Sequence, residues 1–193
     1  IELQRSAKQK ALMQRLSRLQ SIPIQFMPLL QGDEWGYRRR VRLSIGFDGK
    51  TRKLQIGLRR KNSQQIIPIE RCLVLAQPLN NLLPKLTALF AQWSMPQQLG
   101  HIELVSADNG VAMLLRHVKN IAENDRTLLL NFAEQHQLML FVQEHDAIEH
   151  WRGAQPYYGL DDGSQLQFDI RDFIQINTEL NRQMVTTALD WLS

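Results

Sequence analysis

Apolar positions along this chain recur with two periods. Over residues 3–19, Leu3, Ala7, Ala11, Leu12, Leu16 and Leu19 fall on one stripe of a basic amphipathic helix. A proline-punctuated loop follows, "SIPIQFMPLLQGDEW". The period then changes to two. Tyr37, Val41, Leu43, Ile45 and Phe47 lie on one face of a strand, with Arg38, Arg40, Arg42 and Ser44 on the other. The turn "DGKT" and the return "KLQIGLRRK", with Leu54, Ile56 and Leu58 inward, complete a predicted hairpin. A short strand over 65–69 ends near Cys72.

The second half repeats the mixture loosely. A helix over 79–93 precedes a hairpin, "HIELVSA" and "VAMLLRH", around Asp108-Asn109-Gly110. A helix over 123–136, a strand over 138–142 and a hairpin turning at Asp161-Asp162-Gly163 come next. A final helix over 178–191 is capped by Asn177 or Thr178. Hairpins interspersed with helices predict an α+β fold, a mainly antiparallel sheet with helices packed on it. In the closing run "QFDIRDFIQI", alternation sends Phe168, Ile170, Ile174 and Ile176 inward and Asp169, Arg171, Phe173 and Gln175 outward. A ring and an amide thus stand side by side, able to stack on a flat ligand and hydrogen-bond it; a partly covered sheet face explains them as well.

Charge changes the picture more than composition does. The net charge is +4, but residues 36–61 carry ten Lys or Arg against Asp48 alone, a window of +9 beside a remainder of −5. Arg38, Arg40 and Arg42 step along one strand face about 6.5–7 Å apart. With Lys53, Arg59 and Lys61 on the partner strand they form a cationic surface suited to RNA, because guanidinium groups grip phosphate and stack on bases. The competing reading is a solvated outer sheet face. The absence of interleaved acids favours a polyanion.

Catalytic candidates are few. Cys72 is the one cysteine, which rules out an internal disulfide and fits a reducing cytoplasm. It reads as a small buried hydrophobe, or as one ligand of a metal site completed elsewhere; no neighbouring base marks it as a nucleophile. His145 and His150 are five apart, not the i,i+4 spacing of a helical metal pair, while His101 and Glu103 share a strand face and can pair. No Gly-rich phosphate loop and no apolar run of membrane-spanning length is present. The chain begins at Ile1 and reads as a piece of a longer protein without a complete active site.

Three stretches, "WGYRRRVRLSIGF…LQIGLRRKNSQQIIPIERC", "LGHIELV…GVAMLLRH" and "DFIQINTELNRQMVTTALDWL", together resemble the bacterial 23S ribosomal RNA (uracil-5-)-methyltransferases. The F-x-Q-x-N…N-x-x-M pattern marks the wider RNA 5-methyluridine methyltransferase family. "YRRR-x-R" and the context of Cys72 favour the ribosomal over the transfer RNA branch. The resemblance implies a central domain: a helix over 1–20 following a cysteine-rich segment, an α+β domain over 21–176, and a helix over 177–193 leading into a catalytic domain.

It further implies that Cys72 is the fourth ligand of a [4Fe–4S] cluster. Leu73 stands where the family usually has proline, which alters local rigidity but not the thiolate. Gln175 matches a residue contacting S-adenosylmethionine, and Phe173 belongs to the same edge, beside the target base. In such enzymes a thiolate adds to C6 of a flipped uracil, C5 takes the methyl group, and a base removes the C5 proton, all from the other domain. The expected partner is 23S ribosomal RNA, bound by a cytoplasmic monomer with no membrane association. A relative acting on another rRNA or tRNA uridine, or a non-catalytic RNA-binding module, are the competing readings.

Overall fold

A computed structural model describes residues 1–18 and 26–192, which fall into two compact units. The first comprises residues 1–34 and 178–193. Its helix α1 (Glu2–Leu16) buries none of its residues, so the stripe holding Leu3 and Leu12 is open, and Leu19 lies outside the described residues. Arg5 pairs there with Glu2 at 2.9 Å and with Glu34 at 3.5 Å.

The second unit, residues 35–177, is the α+β domain. Strand β1 (Arg40–Asp48) turns into β2 (Lys53–Arg59), and β3 (Ile66–Pro68) adds at the edge. In the turn, the Asp48 carboxylate accepts from the Lys50 and Thr51 amides and the Thr51 hydroxyl, holding its pKa below the usual carboxylate value. The helix expected over 79–93 is two pieces, α2 (Gln77–Asn80) and α3 (Leu83–Phe90). Pro84 is the reason: it has no N–H to donate and is tolerated only in a helix's first turn, so a new helix begins at it.

After these come β4 (Leu99–Ala107), β5 (Gly110–His117), α4 (Glu123–Gln135), β6 (Met139–Glu144) and β7 (Ala147–Arg152). The sheet order is β3-β2-β1-β4-β5-β6-β7. Every pairing is antiparallel except β5 with β6, which α4 connects as a crossover. Strand β7 was not expected, because "AIEHWR" lacks a clean apolar alternation; His150 stacks on Phe141 with ring centres 4.3 Å apart.

One sheet face carries the main core. Leu43, Ile56, Ile102, Leu104, Met113, Leu115 and Leu140 meet Leu79, Leu86, Phe90 and Leu129 from the helices. Each such side chain contributes roughly 1.5–3 kcal/mol on burial. Leu58, expected inward, is instead 40% exposed at the β2–β3 edge, opposite the equally open Ile67. Asp125 and Trp93, both buried, have partners: Asp125 accepts from the Ser94 amide at 3.0 Å and its hydroxyl at 2.5 Å, and Trp93 Nε1 donates to His117 Nε2 at 3.4 Å, whereas Arg152 Nε is buried without one among the described residues.

The second face is covered over part of its area. There Val105, Ala112, Leu114, Met139 and Phe141 lie under Phe168, Ile170 and Ile174. The hairpin of β8 (Tyr157–Gly159) and β9 (Gln165–Gln167) turns at 161–163 as expected, but the alternating run beyond it is not a strand. Within "DIRD" the Asp172 amide donates to the Asp169 carbonyl at 2.8 Å, and the Asp169 amide to the Asp172 carboxylate at 2.8 Å. That side-chain-closed turn replaces a ladder. The inward residues are nevertheless those that alternation named, with Ile176 half-buried. Helix α5 (Thr178–Leu192) belongs to the first unit and buries none of its residues.

Candidate functional site

The cations expected to share one task are divided among three. Arg40 is only 19% exposed, paired with Glu103 at 2.7 Å, and donates to the Ile170 carbonyl at 2.9 Å and to that of Asp172. It fastens the closing segment to the sheet. Arg38 is half-buried, and its Nε donates to the Arg40 carbonyl at 3.0 Å. Arg42 remains open at 63% exposure, its guanidinium 3.2 Å from His101 Nδ1 and 4.0 Å from Glu103. Because arginine only donates, that Nδ1 is an acceptor, leaving Nε2–H to face Glu103 at 3.5 Å. The pairing of His101 with Glu103 is as expected. Together His101 and Arg40 bring the Glu103 pKa down to about 2, against the opposing effect of burial. Arg59 donates to the Ser44 hydroxyl at 3.2 Å and to Gln64, while Lys53 and Lys61 are exposed.

Phe173 is 83% exposed and the Gln175 side chain is open, so the ring and amide do stand outward together. Arg40 holds the backbone before Phe173, and what holds it at Gln175 is Arg39, which sequence reasoning had counted only as one more surface charge. Its guanidinium is buried, donates through Nε to the Gln175 carbonyl at 2.8 Å, and lies 5.2 Å from the Tyr158 ring centre. Burial lowers its pKa, with Asp108 and Tyr158 opposing that. Its backbone is tied as well: the Arg39 amide donates to the Ile176 carbonyl at 3.0 Å, and the Arg39 carbonyl accepts from Ser106 at 2.8 Å. The available signal was the second arginine of "YRRR", on the inward parity of Tyr37 and Val41.

The same short stretch reaches Cys72. The Gly36 and Arg38 amides donate to the Leu73 and Val74 carbonyls, and Ala76 donates back to Arg38, all at 2.8–2.9 Å. Residues 36–39 therefore lie between the cysteine loop and the segment ending at Asn177. Asn80, also missed, closes that loop. Its Oδ1 accepts from the Cys72 amide at 2.9 Å, and its Nδ2 donates to the Cys72 and Leu75 carbonyls at 2.9 and 2.8 Å. The thiol is half-buried, and among the described residues no cluster of three or more His, Cys, Asp or Glu surrounds it. This chain offers one soft ligand on a fixed backbone. The cysteine loop, the ring-and-amide edge and the basic sheet face are thus brought together around one stretch of backbone.

Its whole-length likeness in sequence points to a class: the chain is similar to part of the rRNA uracil-C5 methyltransferases. In particular, it is 62% identical over its whole length to the 23S rRNA (uracil(1939)-C(5))-methyltransferase RlmD of Histophilus somni (strain 129Pt) and 60% to that of Haemophilus influenzae (strain ATCC 51907 / DSM 11121 / KW20 / Rd). Identity is 42% over 96% of the chain for the RlmD of Vibrio cholerae serotype O1 (strain M66-2). The chain spans 44% of the length of the first two and 42% of the third. In fold it is similar to the crystal structure of Pyrococcus abyssi tRNA (uracil-54, C5)-methyltransferase in complex with S-adenosyl-L-homocysteine, with a TM-score of 0.62 at 15% identity over 82% of this chain and 42% of that one. No family model matches.

Proposed function

We propose that this chain is the central part of an S-adenosylmethionine-dependent enzyme that makes 5-methyluridine in 23S ribosomal RNA, working in the cytoplasm as a monomer. The observation that carries the proposal is its 62% identity over 192 residues to an RlmD enzyme. In this reading residues 1–20 follow a cysteine-rich segment, residues 21–176 are the central domain, and residues 177–193 lead into the catalytic domain.

The chain's own contributions are binding and positioning. Arg42, Arg59, Lys53 and Lys61, with Arg38 at the margin, present the cationic face to RNA. Arg40 serves that face indirectly, because its donors are committed to Glu103 and the closing segment. When bound, S-adenosylmethionine supplies the methyl group; the exposed Gln175 amide contacts it and the Phe173 ring edges the target base. Both side chains fit such work because Arg39 fixes the backbone at Gln175, Arg40 fixes it before Phe173, and both side chains are exposed.

Cys72 supplies one thiolate to a [4Fe–4S] cluster whose other ligands come from outside this chain. The Asn80 clamp suits that role, since a ligand loop held at N–H and C=O keeps the sulfur in one place. The test of the whole reading is methyl transfer by the full-length protein from labelled S-adenosylmethionine to unmodified 23S rRNA. Label at C5 of one uridine is expected; label only in tRNA, or none in uridine, overturns it. For the cluster, Cys72→Ala in protein purified without oxygen should lower bound iron, and unchanged iron content refutes the role.

A further inference from the structure

Strand β4 contains one residue more than its partner. Leu99 pairs with His117 and His101 with Arg116, so Gly100 is the extra residue of a bulge. The bulge lets Leu99, Ile102 and Leu104 all enter the helix-side core despite their uneven spacing. It turns His101 and Glu103 to the other face, and bulges that re-aim side chains in this way gather at functional sites. The bare backbone also makes room: a Cβ at position 100 would lie 3.1 Å from the Arg116 carbonyl oxygen and 3.3 Å from its Cγ.

Beside the bulge the second sheet face holds a cleft of about 440 Å³ lined by Arg42, Ser44, Arg59, Gly100, His101 and Arg116. Register explains the gathering. Ser44 lies opposite both Gly57 and His101, and His101 opposite Arg116, so cations from β1, β2 and β5 converge over β4. Three guanidinium groups line this cleft, and among the described residues no carboxylate does. The neighbouring acid, Glu103, is committed to Arg40 at 2.7 Å and to His101 at 3.5 Å, reaching Arg42 only at 4.0 Å.

We propose that this cleft is a phosphate subsite that takes the backbone of the RNA, with Arg116 its third cation and the Ser44 hydroxyl an additional donor. The inference rests on the RNA methyltransferase reading and sharpens it: Arg116 enters the interface and Arg40 leaves it. Guanidinium forks match phosphate oxygens in pairs, and three of them without a competing acid favour a phosphodiester over a protein carboxylate.

The test is binding of a 23S rRNA fragment containing the target uridine to the full-length protein across a KCl series. Arg116→Gln and Arg59→Gln should each shallow the log–log salt slope by roughly 0.7–0.9, one phosphate contact apiece. Arg116→Lys should restore the slope, and Lys85→Gln on helix α3 should leave it unchanged. An intact tryptophan fluorescence spectrum separates loss of contact from loss of fold. If wild type binds with a steep slope and neither Gln variant alters it, the subsite is wrong and the RNA reading stands. If wild type binds without salt dependence, the subsite and the RNA reading fall together.

Discussion

Glu103→Gln is the change that tests most of the second sheet face at once. Glu103 is 12% exposed, and its pKa falls from an ordinary 4.5 to about 2 through His101 and Arg40. A depression of that size is worth about 3 kcal/mol at neutral pH. The sign follows from protonation: the unfolded carboxyl takes up its proton near 4.5, the folded one not until about 2. Stability from this group is therefore complete above pH 4.5 and disappears as the pH falls towards 2. Glutamine keeps an acceptor for Arg40 but not the charge, so we expect the variant of the 193-residue chain to lose about 2–3 kcal/mol at pH 7. The difference from wild type should shrink to near zero at pH 2. Urea unfolding followed by tryptophan fluorescence measures this, because Trp93 is buried in the core. A loss below about 0.5 kcal/mol at pH 7, or one equally large at both pH values, would refute the assignment of Glu103 as the charged anchor of Arg40.

Arg39→Met should remove a charge-assisted bond to the Gln175 carbonyl and the contact with Tyr158, costing about 2–3 kcal/mol, and should speed hydrogen exchange at the amide of residue 39, which donates to the Ile176 carbonyl; an unchanged exchange rate would show that another contact holds the segment. Asn80→Ala should free the Cys72 loop at roughly 1 kcal/mol per lost bond and raise the rate of Cys72 alkylation by iodoacetamide severalfold, whereas an unaltered rate would mean the clamp is dispensable. Gly57→Ala places a Cβ 1.9 Å from the Ile67 carbonyl oxygen, so β3 must move off β2; a cost of about 1–3 kcal/mol and lost protection of the β3 amides are expected, and a neutral result would show that the edge strand yields freely.

Alternation was a reliable guide to which face a residue takes and a poor guide to what that residue then does. Parity placed Phe168, Ile170 and Ile174 inward and Phe173 and Gln175 outward, as found. It did not show that "DIRD" closes on itself, although two aspartates three apart before an apolar pair are a turn signal. Arg38, Arg40 and Arg42 share a face yet differ in role, because Glu103 and the carbonyls of 170 and 172 lie more than sixty residues away and reach only one of them well. The Gly100 bulge could not be read at all: a bulge is defined by the partner strand, and "LGHIELV" alternates acceptably without one. The clamps by Arg39 and Asn80 escaped notice for the same reason, since a side chain bonding to a distant backbone leaves no periodic trace.

The division of the second sheet face follows from register. Successive transverse rows run Arg40–Val105–Ala112–Met139, then Arg42–Glu103–Leu114–Phe141, then Ser44–His101–Arg116–Gln143. The first row is apolar beyond its arginine and attracts Phe168, Ile170 and Ile174; the third is polar throughout and contributes no residue to that apolar cluster. The middle row belongs half to each, and there Glu103 stands between the arginine that holds the cover and the one left open. A one-residue slip of β1 against β4 would send Arg40 and Arg42 into the helix-side core. The register that buries Val41 and Leu43 therefore also sets the spacing between the closing segment, which carries Phe173 and Gln175, and the basic cleft. On the proposed function, strand pairing sets where Arg39 and Arg40 anchor the loop that carries Phe173 and Gln175, and so where that loop stands relative to the bound phosphate.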